Sequence, residues 1–242
     1  MINIALVGAS GKMGQAVIRE SLNDETVQVT NYLVSDESKF LGTDVGEHHF
    51  SQPSGKYFSK TIGEPFDCII DFATRENLDA RLCYYEELGK PLLFCTTGLS
   101  QKQKEKLKAL SNEFPIFIAP NTSVLAALMV NFLANIKKIE GSYEIRISEK
   151  HHKSKIDSPS ATAISLANAA NIDEKKIESL REGDHGNWHK AKIYSEFEEL
   201  QIEHSTTNRS IYAQGALNIV KWFYQKPKNL YHMQTLIEDL YE

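Results

Sequence analysis

Cysteine is scarce in this sequence: three in 242 residues, at Cys68, Cys83 and Cys95. An odd, dispersed set excludes a secreted disulfide scaffold and a paired C-x-x-C zinc site. Proline and glycine are sparse too, seven and thirteen. That excludes collagen-like repeats, low-complexity linkers and a disordered chain. No long hydrophobic run is present. The longest, Val124 to Val130, falls far short of the roughly 20 apolar residues that a membrane-spanning helix needs. The N-terminal run Ile4-Ala5-Leu6-Val7 stops at Gly8 with no basic segment before it, so no signal peptide is expected. An excess of positive charge is missing as well. Lys and Arg total 27 against 32 Asp and Glu, a net charge of −5, the wrong sign for a general nucleic-acid binder. The expectation is a cytoplasmic chain of one or two domains that engages neither nucleic acid nor membrane and is long enough to bury a core unaided.

What is present is alternation. Apolar strand-like runs at Ile2–Val7, Val27–Val34, Phe66–Phe72, Pro91–Cys95 and Pro115–Ala119 are separated by helical patterns. The helices read as Lys12–Leu22, with Met13, Ala16, Val17 and Leu22 near one face, then Arg75–Leu88 and Gln101–Leu110. Continuous apolar strands between helices predict an α/β fold with a parallel sheet covered on both faces, of Rossmann type. From Thr122 the pattern changes. A long apolar helix, Ser123–Ile136, leads to a strand at Ser142–Glu149 and a helix from Pro159 to Ala170. Ala191, Ile193, Ser195 and Phe197 alternate with polar residues, a half-buried strand with Leu200–His204 as its antiparallel neighbour. Ser210–Tyr224 is helical again. The sequence therefore divides into a parallel domain over 1–121, a smaller α+β domain over 122–208, and a segment 209–242 that returns to the first.

The first chemical motif is Gly8-Ala9-Ser10-Gly11-Lys12-Met13-Gly14, between a strand and a helix. Glycines at this spacing allow a tight turn and let a pyrophosphate approach backbone amides at a helix N-terminus. The second strand ends Leu33-Val34-Ser35-Asp36. An acidic residue at the strand end would read the 2′-hydroxyl of NAD. Val34 cannot, and Asp36 falls late. Ser35, Lys12 and Lys39 could instead meet a 2′-phosphate, which favours NADPH over NADH.

The second motif runs from Glu149 to Ala163: Glu-Lys-His-His-Lys-Ser-Lys-Ile-Asp-Ser-Pro-Ser-Ala-Thr-Ala. Two histidines and three lysines precede a helix start, with Ser158 and Pro159 read as its N-cap and first-turn residues. Lysines and a helix N-terminus suit a small dianion despite the acidic total. Adjacent histidines face apart on a strand and no H-E-x-x-H helix is present, so no metal is expected. His185 and His189 are four apart, but Gly186 interrupts any helix that would align them.

This segment closely resembles the E-x-H-H-x-x-K-x-D-x-P-S-G-T-A signature of the 4-hydroxy-tetrahydrodipicolinate (dihydrodipicolinate) reductase family. The resemblance extends along nearly the whole chain: Gly8 to Gly14, Asp71-Phe72-Ala73, Cys95-Thr96-Thr97-Gly98, Ala119-Pro120-Asn121-Thr122-Ser123, Arg181 with Gly183, Asp184 and His189, and Arg209 to Ala216. It implies NAD(P)H-dependent reduction of a cyclic dicarboxylic precursor to tetrahydrodipicolinate in the diaminopimelate and lysine pathway. It also implies a homotetramer built through the second, substrate-binding domain. By matching positions, His151 is the acid/base and Lys155 a second proton donor. His152, Ser160, Ala161 and Thr162 bind substrate. The cofactor meets Gly8, Ala9, Ser10, Gly11, Lys12, Met13, Ser35, Cys95, Thr96, Thr97, Ala119, Pro120, Asn121 and Thr122.

Three positions depart from the family pattern. Ala161, Cys95 and Asn187 stand where glycine is usual, and the loop between Leu180 and Trp188 is shortened. Ala161 and Cys95 are the only support for the alternative, a weak or silent dinucleotide-binding sensor of the same fold.

Overall fold

The computed structural model describes residues 1–136, 138–139, 143–183 and 186–241. It divides the chain into two compact units. One comprises Met1–Thr122 and Ser210–Leu236, the other Ser123–Arg209 and Ile237–Glu242. The last residues thus group with the second unit rather than the first. Tyr241 lines a groove there with Leu125, Met129 and Ile202.

The first unit is built on β1 (Ile2–Val7), β2 (Val27–Leu33), β3 (Phe58–Ser59), β4 (Cys68–Asp71), β5 (Leu92–Phe94), β6 (Ile116–Ile118) and β11 (Leu230–His232). Every pairing is parallel, in the order β11-β6-β5-β4-β1-β2-β3. The order reverses direction at β1 and β4, the switch point where open α/β sheets bind ligands beyond the strand C-termini. The central strands β1, β4 and β5 are buried almost throughout, as helices on both faces require. Around them lie α1 (Lys12–Ser21), α2 (Val45–Phe50), α3 (Leu78–Leu88), α4 (Gln101–Leu110) and α7 (Ser210–Phe223). Leu22, placed on the apolar face of α1 by periodicity, instead caps the helix and is exposed.

Helix α3 begins three residues later than periodicity indicates. The Arg81 guanidinium donates to the Thr74 and Glu76 carbonyls, which keeps 74–77 as a loop. In this unit α2, β3 and β11 leave no periodic signal in the sequence, and neither does the strand Glu178–Arg181 in the second. Helix α2 is a six-residue piece whose amides at Gly46 and Glu47 are capped by Asp44. The same carboxylate accepts from the Ser54 and Gly55 amides. These hydrogen bonds outweigh the cost of its burial and hold Asp44 down at about 2.

The second unit carries a sheet in the order β10-β9-β7-β8. Its strands are β7 (Glu144–His151), β8 (Glu178–Arg181), β9 (Asn187–Tyr194) and β10 (Glu199–Thr206). β9 runs antiparallel to both neighbours, and β8 parallel to β7. Helices α5 (Val124–Ile136) and α6 (Ala161–Ala169) bury Met129, Leu133, Leu166 and Ala167 against Ile147, Ala191 and Ile193 of the sheet. The inward phase of β9 is His189, Ala191 and Ile193. Phe197 does not continue it: 89% exposed, it sits beyond the strand end, before β10. Ser142, the expected start of β7, lies outside the described residues. A short helix, α8 (Met233–Asp239), closes the chain. No helix among the described residues is long and apolar enough to cross a membrane.

Candidate active site

In the first unit the candidate cofactor residues all follow strand C-termini. Gly8–Met13 follow β1, Ser35 follows β2, Cys95–Thr97 follow β5 and Ala119–Thr122 follow β6. Parallel strands put these segments along one edge of the sheet. The amides of Gly8 and Ala9 both donate to the Leu33 carbonyl, at 3.0 and 3.1 Å. Gly8 has φ +80°, and a Cβ there would come within 2.9 Å of the Phe72–Ala73 backbone, so only glycine fits. Gly11 is the N-cap of α1, and no side chain caps that end. The first-turn amides, which lack intrahelical partners, are thus left to a ligand. This loop fits a dinucleotide pyrophosphate.

Asp71 ties the neighbouring loops together. It is fully buried at the end of β4. Its Oδ1 accepts from the Ala73 amide at 2.7 Å and from Thr96 at 3.3 Å, its Oδ2 from Tyr85 at 2.7 Å and Arg81 at 3.3 Å. The single Thr96 hydroxyl proton is shared between Asp71 and the nearer Ala73 carbonyl at 2.9 Å, and the Thr122 hydroxyl donates to the Tyr212 carbonyl. Both threonines are buried, so their side chains hold loops in place and their backbone is what remains for a ligand.

In the second unit His151 ends β7 and is buried, its Nδ1 3.0 Å from Glu149 Oε2. The other carboxylate oxygen, Oε1, accepts from Arg181 at 2.9 Å and from the Ser160 amide at 3.1 Å. Burial alone would raise Glu149, but the hydrogen bonds from His151, Ser160 and Arg181 prevail and hold its carboxyl well below the usual range. His189 faces the same cluster, 3.1 Å from Ser160 Oγ and 3.8 Å from Glu149 Oε2. Burial and the neighbouring His151 push it down to about 4, so it is neutral at physiological pH. Ser160, not Ser158, is the N-cap of α6, its Oγ accepting from the Ala163 amide at 3.2 Å. The bond from its own amide to Glu149 keeps the chain extended there, and the helix starts one residue later.

Two of the three lysines are less free than their spacing suggests, while Lys153 is exposed. Lys155 Nζ lies 2.9 Å from Asp157, and Lys150 Nζ 3.6 Å from Glu182. His152 is half-buried, with Nδ1 2.8 Å from Ser154 Oγ. Glu149, His151 and His189 bring ligand atoms within 4.8 Å of one another. Arg181 already balances the carboxylate, and a cation there would sit beside a guanidinium. His185 and Asp184 lie outside the described residues.

The sequence matches two family descriptions, "Dihydrodipicolinate reductase, N-terminus" over residues 2–122 and "Dihydrodipicolinate reductase, C-terminus" over 125–237. The chain belongs to the dihydrodipicolinate reductase family. It is an NAD(P)H-dependent oxidoreductase acting at the 4-hydroxy-tetrahydrodipicolinate step of diaminopimelate and lysine biosynthesis, and its cofactor is a nicotinamide dinucleotide. Among solved structures it is similar to a dipicolinate-bound dihydrodipicolinate reductase from Paenisporosarcina sp. TG-14. The identity is 20%, 96% of this chain and 97% of that one are covered, and the TM-score is 0.77. An amine dehydrogenase from Mycobacterium smegmatis shares 12% identity over 97% and 95% of the chains, with a TM-score of 0.63. A myo-inositol dehydrogenase from Corynebacterium glutamicum shares 13% over 95% and 90%, at 0.56. At these identities the likeness shows the fold.

For a dihydrodipicolinate reductase, the departures are mild. Ala161 opens α6, is exposed and has no positive φ. Cys95 is buried, and burial reinforced by Asp71 pushes its thiol up, which leaves it unreactive. Asn187 accepts a 2.6 Å hydrogen bond from Thr206 that pins the start of β9. Nothing here favours the silent-sensor alternative.

Proposed function

We propose that His151 is the proton-transferring residue of this reductase, with Lys155 beside it, and that the first unit binds the dinucleotide while the second binds substrate. One observation carries the assignment. Glu149 Oε2 lies 3.0 Å from His151 Nδ1 and sets the orientation of the ring, which leaves Nε2, on the far side of the imidazole, as the nitrogen for a substrate atom. The bound nicotinamide supplies the hydride. The chain's own groups do the rest. A dicarboxylate is held by the first-turn amides at Ala161 and Thr162, by His152, and by Lys155 once it exchanges Asp157 for a substrate carboxylate. Ser160 contributes by position, since its amide and hydroxyl are engaged with Glu149, Ala163 and His189.

NADPH is the favoured cofactor. Val34 has no acceptor for a ribose hydroxyl, and Asp36 is drawn to Lys60 at 3.6 Å. Ser35 and Lys12 are exposed and available to a 2′-phosphate. A cytoplasmic homotetramer is the expected form, and sedimentation measures its size. Fluorescence titration of NADPH and NADH, with and without dipicolinate, tests this reading. NADPH should bind about tenfold tighter than NADH, and dipicolinate should bind tighter once cofactor is present. Failure of both dinucleotides to bind overturns it, and equal affinities overturn the NADPH preference.

A further inference from the structure

The short helix α2 stands behind the glycine loop. His49 Nε2 lies 2.8 Å from the Ala9 carbonyl, and His48 Nε2 lies 3.1 Å from the Ser10 carbonyl. A carbonyl only accepts, so each ring carries its proton on Nε2. Both rings are braced. His48 packs 3.9 Å from Phe40, and His49 meets Phe58 edge-on at 5.7 Å. Gln15 of α1 donates to the His49 carbonyl at 2.8 Å, and Asp44 fixes the helix start. Two adjacent histidines on one helix therefore clamp two successive peptides of the loop.

A trans peptide points its C=O and N–H in opposite directions. Clamping the Ala9 carbonyl thus aims the Ser10 N–H away from α2. Clamping the Ser10 carbonyl fixes the Gly11 amide, which donates to the Gly8 carbonyl at 3.1 Å and closes the turn. We propose that His48 and His49 are positioning residues for the dinucleotide: they hold the glycine loop in its phosphate-binding shape before cofactor arrives and so set cofactor affinity, not the chemical step. The inference rests on the reading that residues 8–13 cradle the pyrophosphate. Preorganised amides need no rearrangement when the ligand binds, which is where affinity is gained.

The test is direct titration of NADH into the purified protein and into His48→Leu, His49→Leu, His48→Gln and His49→Gln, with melting temperature and dipicolinate affinity recorded for each. Glutamine places an amide donor near the Nε2 position; leucine fills the space without one. Each leucine variant should bind NADH about tenfold more weakly, each glutamine variant within about threefold of the parent, and dipicolinate affinity should not change. Folded leucine variants that bind like the parent overturn the inference. So do glutamine variants as weak as the leucine ones, because ring packing alone would then be at work. If the leucine variants do not fold, the glutamine variants decide: affinity within threefold supports the clamp, and a loss beyond tenfold overturns it. Gly11→Asp separates the two readings. It keeps a good N-cap but places a carboxylate in the cradle. If it binds NADH normally, the loop reading fails and the inference with it. If it loses binding while both leucine variants keep theirs, only the histidine inference falls.

Discussion

Ala161 occupies the first position of α6, exposed and without positive φ. At such a position alanine outperforms glycine by up to about 1 kcal/mol. Ala161→Gly should therefore lower the melting temperature by a few degrees and leave kcat/KM within about twofold. A gain in activity above tenfold would show that the methyl group obstructs substrate. Other residues of the site differ in how far they could be read beforehand. The two histidines and Lys155 are local in sequence and carried their own signal. Glu149 stood in the same signature, and strand alternation puts it on the face of Ile147 and His151, yet no role was assigned to it. His189 was reachable by extending the β9 alternation one step back. Arg181 was not, because its contact with Glu149 spans 32 residues and depends on β8 lying beside β7.

Helix α7 illustrates what an element requires of its neighbour. A Cβ on Gly215 would fall 2.0 Å from the Thr122 carbonyl oxygen, so the helix packs directly on that backbone. Gly215→Ala should destabilise the first unit by about 1–3 kcal/mol, because helix and loop must separate. Thermal unfolding measures it, and an unchanged melting temperature would mean that the segment shifts freely. Long, periodic elements such as β1, α4 and α5 were legible to within a residue or two. α2, β3, β8 and β11 were not, since each is two to six residues long and exists through partners distant in sequence. β3, for example, pairs two residues with β2, and α2 depends on Asp44 gathering amides from both of its sides. The consequence reaches function, because this short helix carries the two histidines behind the glycine loop.

The whole molecule should respond to acid in a defined window. His189 titrates at about 4 in the folded chain against an ordinary 6.5. Between those values the unfolded chain binds a proton that the folded chain does not, so stability falls as pH drops from 6.5 to 4 and levels off below, by about 3 kcal/mol from this residue. His49 and His204, also shifted down by burial, act in the same direction. Glu149 works in a lower window: its depressed carboxyl adds stability above the ordinary carboxylate range that is lost as pH falls below about 4.5. Melting temperatures recorded from pH 7 to pH 4 should fall less steeply for His189→Gln, which can keep the Ser160 bond, than for the parent. Equal slopes would contradict a buried neutral His189. At this scale the sequence already carried the two-part architecture, because parallel and mixed sheets leave different periodicities, whereas the grouping of the last six residues with the second unit left no such trace. The central claim, that this chain is a reductase working through His151, is tested most directly by NADPH oxidation with 4-hydroxy-tetrahydrodipicolinate generated by a coupled synthase. The parent should oxidise NADPH, and His151→Gln should lose at least about a hundredfold in kcat while its NADPH affinity shifts less than about twofold. No oxidation by the folded parent, or equal losses of turnover and cofactor binding in the variant, would contradict the account.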